Sequence, residues 1–232
     1  MFRREPYERM RPILEAFVVA HLRDTGFALG GATRIALAFG EVRISRDLDF
    51  LASDPRGFAD LRQRVRSEGY AALFVPERGF LLPREPLTDQ YGIRFPAVVA
   101  GVTVKVELIR EARITLAPSV LERDVPVPCL SLTDAYAEKL LALSDRGADP
   151  SQLDRDLVDL AVLRIKAGPV PAAALSLAES AYGDAIQGDL RREIERFSGD
   201  EARRTRSMRA LMVDDVPLVL AGVAALATDF GA

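Results

Sequence analysis

Two reactive residue types are almost missing from this chain: its 232 residues include one cysteine, Cys129, and one histidine, His21. A lone cysteine excludes an intramolecular disulfide and a thiolate metal cluster, which makes a reducing cytosol the expected compartment. A lone histidine argues against multi-histidine zinc sites and histidine-based hydrolase triads. Cys129, close to Pro126 and Pro128, reads as a small apolar residue, and His21 as a partly exposed position on the first helix. Lysine is nearly as scarce, with Lys105, Lys139 and Lys166 the only three among 31 basic residues. Where arginine is the default cation, a retained lysine suggests a need for a compact, rotatable point charge. Long apolar runs are missing too. The longest, from Val216 to Thr228, is too short to cross a bilayer and reads as a buried helix. The charged start, Met1 to Tyr7, has no signal-peptide core. A soluble cytoplasmic protein with no membrane partner is expected. The net charge of −3 supplies no general attraction to nucleic acid, though it leaves room for local basic patches.

What is present is enough apolar residue, 49%, to bury a full core in one large domain or two small ones. Residues 9–24 have helical spacing, with Ile13, Leu14, Phe17, Val18 and Leu22 on one face. Strands are expected at 27–29, 48–51, 71–75, 79–82, 90–95 and 102–109. Helices are expected at 32–39 and at 56–68, the latter started by Asp54-Pro55 and stopped by Gly69. Beyond Pro126-Val127-Pro128 the pattern is helical to the end. The expectation is an α/β (α+β) fold: a core with a mixed sheet flanked by helices over residues 1–125, then a helical domain over 126–232 that closes one wall of a cleft.

Candidate chemistry begins where the run Phe27-Ala28-Leu29 meets Gly30-Gly31 and opens a helix. That turn leaves backbone N–H groups facing an anion at the positive end of the helix dipole, and glycines let a polyphosphate come close. In Asp47-Leu48-Asp49-Phe50, a strand sends both carboxylates to one face and Leu48 to the other. Two like charges this close call for a cation. Paired hard oxygens suit Mg²⁺ (or Mn²⁺), which completes its shell with water and phosphate. Glu107 alternates with Val106 and Leu108 and shares a face with Lys105. Beside the Asp47 strand it would supply a third metal ligand or take the proton from an attacking hydroxyl. Lys139 and Arg146 fall on one helical face and can point into one cleft. At about 100° per residue, Asp156 lies between Leu160 and Leu163 in the apolar sector of its helix, where a carboxylate needs a partner. Lys139 or Arg146 is the candidate, and a purely structural ion pair between helices would satisfy the same pattern. Asp159 falls nearer the edge and is the more ordinary of the two acids. The arginines between 191 and 209 are interleaved with Glu193, Glu195, Asp200 and Glu201 and read first as the surface of a helix bundle.

Together these segments resemble the AbiEii/AbiGii-type toxin nucleotidyltransferase family, within the DNA polymerase beta-like nucleotidyltransferase superfamily. Phe27 to Arg34 is similar to its glycine motif and Ser45 to Phe50 to its metal motif. Lys139 to Arg146 and Arg155 to Leu160 are similar to its third and fourth motifs. Where the family usually has Ser or Thr directly after the glycine pair, this chain has Ala32, with Thr33 next. The resemblance implies catalytic roles for Asp47, Asp49, Glu107, Lys139 and Asp156, with metal held by Asp47, Asp49 and Glu107. Gly30, Gly31, Thr33, Lys139 and Arg146 would bind the nucleotide. The implied reaction moves NMP from an NTP to an acceptor hydroxyl, on tRNA or another RNA, and the implied protein partner is a cognate antitoxin. A same-fold transferase with a small-molecule or protein acceptor, and a nucleotide-binding module without turnover, stand as alternatives.

Overall fold

Phe17 interrupts the first helical run. In the computed structural model, which describes residues 2–232, α1 (Glu5–Ala16) and α2 (Val19–Asp24) replace the single helix expected over 9–24. Phe17 has an extended backbone and bridges Phe74, and its ring lies 4.8 Å from that of Phe50 and 4.5 Å from that of Phe74. Packing three aromatic rings together outweighs one more helical turn.

β1 (Ala28–Leu29) leads into α3 (Gly31–Phe39), and β2 (Asp47–Ala52) into α4 (Pro55–Glu68). Asp54 caps α4 by accepting from the amides of Arg56 and Gly57, which satisfies donors that have no partner within the helix. β3 (Leu87–Thr88), β4 (Gly92–Val99) and β5 (Val102–Arg110) complete a five-stranded sheet of order β1-β2-β5-β4-β3. Only β2 and β5 run parallel, so the sheet is mixed, as expected. β4 and β5 form a hairpin whose two loop residues, Ala100 and Gly101, both have positive φ, the geometry that matches strand twist. The runs 71–75 and 79–82 are not strands. Gly69–Ala72 winds into a 3-10 turn, while Phe74 and Leu81 make single bridges to Phe17 and Val98. One face of the sheet is apolar across three strands in register: Leu48, Val106 and Phe95 form one row, and Phe50, Leu108 and Ile93 the next, all buried.

The chain divides into two compact units, residues 1–38 with 45–131, and residues 39–44 with 132–232. The second is helical: α5 (Leu132–Arg146), α6 (Arg155–Ala167), α7 (Ala172–Tyr182), α8 (Ala185–Gly199), α9 (Glu201–Ala210) and α10 (Val216–Phe230). α6 and α10 approach closely, because a Cβ on Gly222 would stand 2.3 Å from the Ala161 carbonyl. α10 buries one face through Val219, Val223 and Leu226 but leaves Leu220 42% exposed, so it is half buried rather than fully enclosed. Residues 39–44 are tied into this unit by hydrogen bonds from Ile44 N to Leu211 O and from Asp214 N to Val42 O. Among the described residues no helix is long and apolar enough to cross a membrane.

The helical unit also encloses a polar cluster that joins α8 and α9 to Asp154, the residue before α6. Arg203 pairs with both Asp154 and Glu193, Arg196 pairs with Glu193, and the Ser207 hydroxyl donates to Asp154. Burial, reinforced by a hydrogen bond shared with Asp154, pushes Glu193 up from 4.5 to about 7 against the pull of Arg203 and Arg196. A carboxyl raised in the folded state stabilises most below its unfolded pKa and loses that contribution as pH rises through the folded value. Glu193→Gln is therefore expected to flatten the fall in stability between pH 4.5 and 7. The difference in stability between variant and wild type should therefore shift in the variant's favour as pH rises from 5 to 8. Urea titrations at pH 5 and 8 test this, and the same difference between the two proteins at both pH values would refute it.

Candidate active site

The glycine turn and the carboxylate strand are locked together through the backbone. Gly30 N donates to Asp49 O at 2.7 Å, and Thr33 Oγ1 donates to Asp47 O at 2.6 Å. Thr33 is 1% exposed, so its hydroxyl is committed to orienting β2. Gly31 has φ +61°, and a Cβ there would lie 2.7 Å from Asp49 Oδ2. The Asp49 carboxylate thus occupies the space that the missing side chain leaves. Helical bonding in α3 begins with Arg34 N to Gly30 O, which places the amides of Gly31, Ala32 and Thr33 in the first turn, at the positive end of the dipole.

Gly31→Ala tests this packing. The left-handed backbone costs about 1–2 kcal/mol for a residue with a Cβ, whereas a carboxylate displaced by about 1 Å costs on the order of a hundredfold in rate. A modest fall in melting temperature with a far larger fall in transfer is expected. Full activity in a stable variant would separate Gly31 from the site.

Asp47 and Asp49 are half buried on one face of β2, while Leu48 and Phe50 are buried on the other. The parallel register sets Asp47 opposite Lys105 and Asp49 opposite Glu107, so Glu107 does lie on the carboxylate face. Its oxygens are already engaged: Lys105 Nζ is 2.6 Å from Oε2, and Arg94 Nε is 3.2 Å from Oε1. Among the described residues no three His, Cys, Asp or Glu side chains group as metal ligands. Glu107, expected as a third ligand, is held here as the ion-paired neighbour of two cations. The donor set that suits a hard divalent ion is the Asp47 and Asp49 pair beside the Cβ-free turn, and two carboxylates suffice for Mg²⁺. Elsewhere in this unit, burial pushes the Cys129 thiol up to about 12, which leaves it unreactive. His21 Nδ1 lies 2.8 Å from the Ala72 carbonyl.

In the helical unit, Asp156 has both of the partners named for it. Lys139 Nζ lies 2.9 Å from its Oδ1, and Arg146 grips it through Nε at 2.7 Å and Nη2 at 2.9 Å. Lys139 also reaches Asp159 Oδ2 at 2.6 Å, and Arg43 clamps Asp159 in bidentate fashion at 2.6 and 2.8 Å. Three cations thus alternate with two carboxylates. Burial alone would raise Asp156 and Asp159, yet Lys139 with Arg146 and Arg43 with Lys139 hold them below the usual carboxylate range. Burial would likewise lower Lys139, but the two carboxylates hold it above the usual lysine value. Asp159, expected near the helix edge, is 2% exposed and as deeply committed as Asp156.

A family model for the AbiEii nucleotidyl transferase toxin of a type IV toxin-antitoxin system matches residues 12–225. The chain belongs to this family. It is an AbiEii nucleotidyltransferase, which accounts for the glycine turn and the paired aspartates on one sheet. JHP933 from Helicobacter pylori is similar in structure, with a TM-score of 0.58 and 17% identity over 99% of this chain and 93% of that one. A putative nucleotidyltransferase from H. pylori gives 0.57 and 21% over 97% and 92%. MenT4, a nucleotidyltransferase toxin from Mycobacterium tuberculosis H37Rv, gives 0.37 and 15% over 97% and 95%. The first two show a shared fold. No curated protein matches the chain.

Of two buried arginines in this AbiEii transferase, one carried no usable local signal and the other only an indirect one. Arg43 stands 116 positions from Asp159, and nothing in Val42-Arg43-Ile44 marks it as buried. Arg34, 2% exposed, donates to Leu130 O and Glu122 and so anchors α3 from below the turn. Its place between Thr33 and Ile35 in an apolar helix was the available sign, since a buried arginine needs partners.

Proposed function

We propose that this chain transfers a nucleoside monophosphate from an NTP to a hydroxyl group of RNA, with tRNA as the candidate acceptor, in the cytoplasm and under the restraint of a cognate antitoxin protein. The observation that supports the reading most directly is the seating of Asp49 in the space left by Gly31, which makes the phosphate turn and the carboxylate pair one rigid element. In this reading Asp47 and Asp49 hold Mg²⁺ (or Mn²⁺), which when bound polarises the phosphoryl group and offsets its charge. The amides of Gly31, Ala32 and Thr33 cradle the phosphates, while Gly30 uses its own N–H to keep Asp49 in register. Arg146 keeps 37% side-chain exposure while gripping Asp156, and its guanidinium suits a substrate phosphate. Lys139, 7% exposed, separates Asp156 from Asp159, and Asp156 in turn orients Arg146. The acceptor hydroxyl attacks the α-phosphorus and releases its proton to solvent, the bond to the oxygen bridging the α- and β-phosphates breaks, and pyrophosphate leaves. Rate enhancement comes from positioning and charge stabilisation.

The test incubates the purified chain with each α-labelled NTP, Mg²⁺ and total cellular RNA, and follows label into RNA, protein and small molecules. Mg²⁺-dependent label in RNA is expected. Label confined to protein or small molecules would overturn the RNA acceptor.

A further inference from the structure

Arg155 is a partly exposed cation whose position in the structure is unfavourable on several counts. Its Nε is buried and donates to no acceptor among the described residues. The carboxylates close enough to attract it are already held, Asp156 by Lys139 and Arg146, and Asp159 by Arg43 and Lys139. Two of those holders, Arg146 and Arg43, oppose its charge, and together with burial they lower its pKa. Arg155 also opens α6, directly after Leu153 and Asp154, both at positive φ, and a cation in the first turn of a helix meets the positive end of the dipole. A neutral glutamine would avoid the charge penalties among these.

An anion would relieve all of them at once. We propose that Arg155 is a phosphate-binding residue, placing a second guanidinium beside Arg146 on a phosphate group of the substrates. The inference rests on the nucleotidyl-transfer reading above for the source of that phosphate. The planar fork of arginine matches phosphate geometry, and the part of the side chain that is not buried is the part a ligand can reach. The phosphate belongs either to the triphosphate of the NTP or to the backbone of the acceptor RNA. Both present the same chemistry.

Arg155→Gln and Arg155→Lys distinguish the sources. Binding of Mg²⁺–NTP and of total tRNA is measured by titration, with melting temperatures taken alone and with inorganic tripolyphosphate. If the triphosphate is the ligand, Arg155→Gln weakens NTP binding by about tenfold or more, roughly 1.4 kcal/mol, and Arg155→Lys falls between. If the RNA backbone is the ligand, NTP binding holds while RNA binding weakens and its salt slope drops by about one. In either case the unliganded variant melts at or above the wild-type temperature, because no internal partner is lost. Unchanged NTP and RNA binding would overturn the proposal, and so would a variant that melts several degrees lower. A wild-type protein that binds neither NTP nor RNA would defeat the nucleotidyl-transfer reading instead. Tripolyphosphate then still decides for Arg155: stabilisation of the wild type but not of Arg155→Gln supports the role, and equal stabilisation or none removes it.

Discussion

Asp49→Asn is expected to cut nucleotidyl transfer at least about a thousandfold, a loss of roughly 4 kcal/mol of transition-state stabilisation, with little change in the fold. The amide keeps the shape of the carboxylate, so it still fits the space beside Gly31, and the Gly30 N to Asp49 O bond uses only the backbone. What is lost is one of the two carboxylates proposed to hold the hard cation. Aspartate at 47 alone would hold such an ion weakly. The measurement is the initial rate of labelled NMP incorporation against Mg²⁺ concentration, beside a thermal melt. The melt should shift by no more than about 1 kcal/mol in stability, as for most substitutions outside a packed core. Excess Mg²⁺ should restore part of the rate if the defect is in metal affinity. A variant that retains wild-type turnover would remove Asp49 from the metal site. A variant that unfolds would say instead that the carboxylate is a structural partner of the turn.

The parts of this protein that could be read in advance are those whose logic is local. Asp47 and Asp49 share a face because strand side chains alternate, and the same rule put Glu107 on the face it occupies, opposite Asp49. Alternation says which way a side chain points but not what meets it there. The cations that engage Glu107 come from its own strand, Lys105, and from the neighbouring one, Arg94, and strand pairing was not available from spacing. Helical periodicity found Asp156 buried and named both of its partners. It misjudged Asp159 because the angular position of a residue on one helix does not say how far the surrounding elements wrap around it. Residues 39–44 complete that wrapping, and they join the helical unit although their sequence neighbours on both sides belong to the other. The strand expectations at 71–75 and 79–82 failed for a related reason. The apolar runs were present, but no neighbouring strand supplied a ladder, and only single bridges formed.

The buried cluster on α5 and α6 yields the second large effect. Lys139→Met fills a similar volume but leaves Asp156 and Asp159 facing each other with only Arg146 and Arg43 behind them. Removing one member of a buried ion network typically costs about 3–5 kcal/mol, because the remaining charges stay desolvated without compensation. At about 3 °C per kcal/mol for a chain of this length, the melting temperature should fall by roughly 10 °C. The pH dependence identifies the cause. In the wild type both carboxylates titrate below their usual 3.8, so their contribution is present above the unfolded pKa and is lost as pH falls through the folded one. Without Lys139 their folded values rise, so protonation relieves the repulsion earlier and less stability remains to be lost in acid. The gap between wild type and variant should therefore be widest near neutral pH and close as pH drops below about 4. A gap that is constant from pH 4 to 8 would point to misfit of the methionine side chain, and no gap would mean that Lys139 contributes nothing to holding α6 in place. Transfer measured well below the melting temperature should fall as well, since Asp156 then loses the cation that fixes it while it orients Arg146.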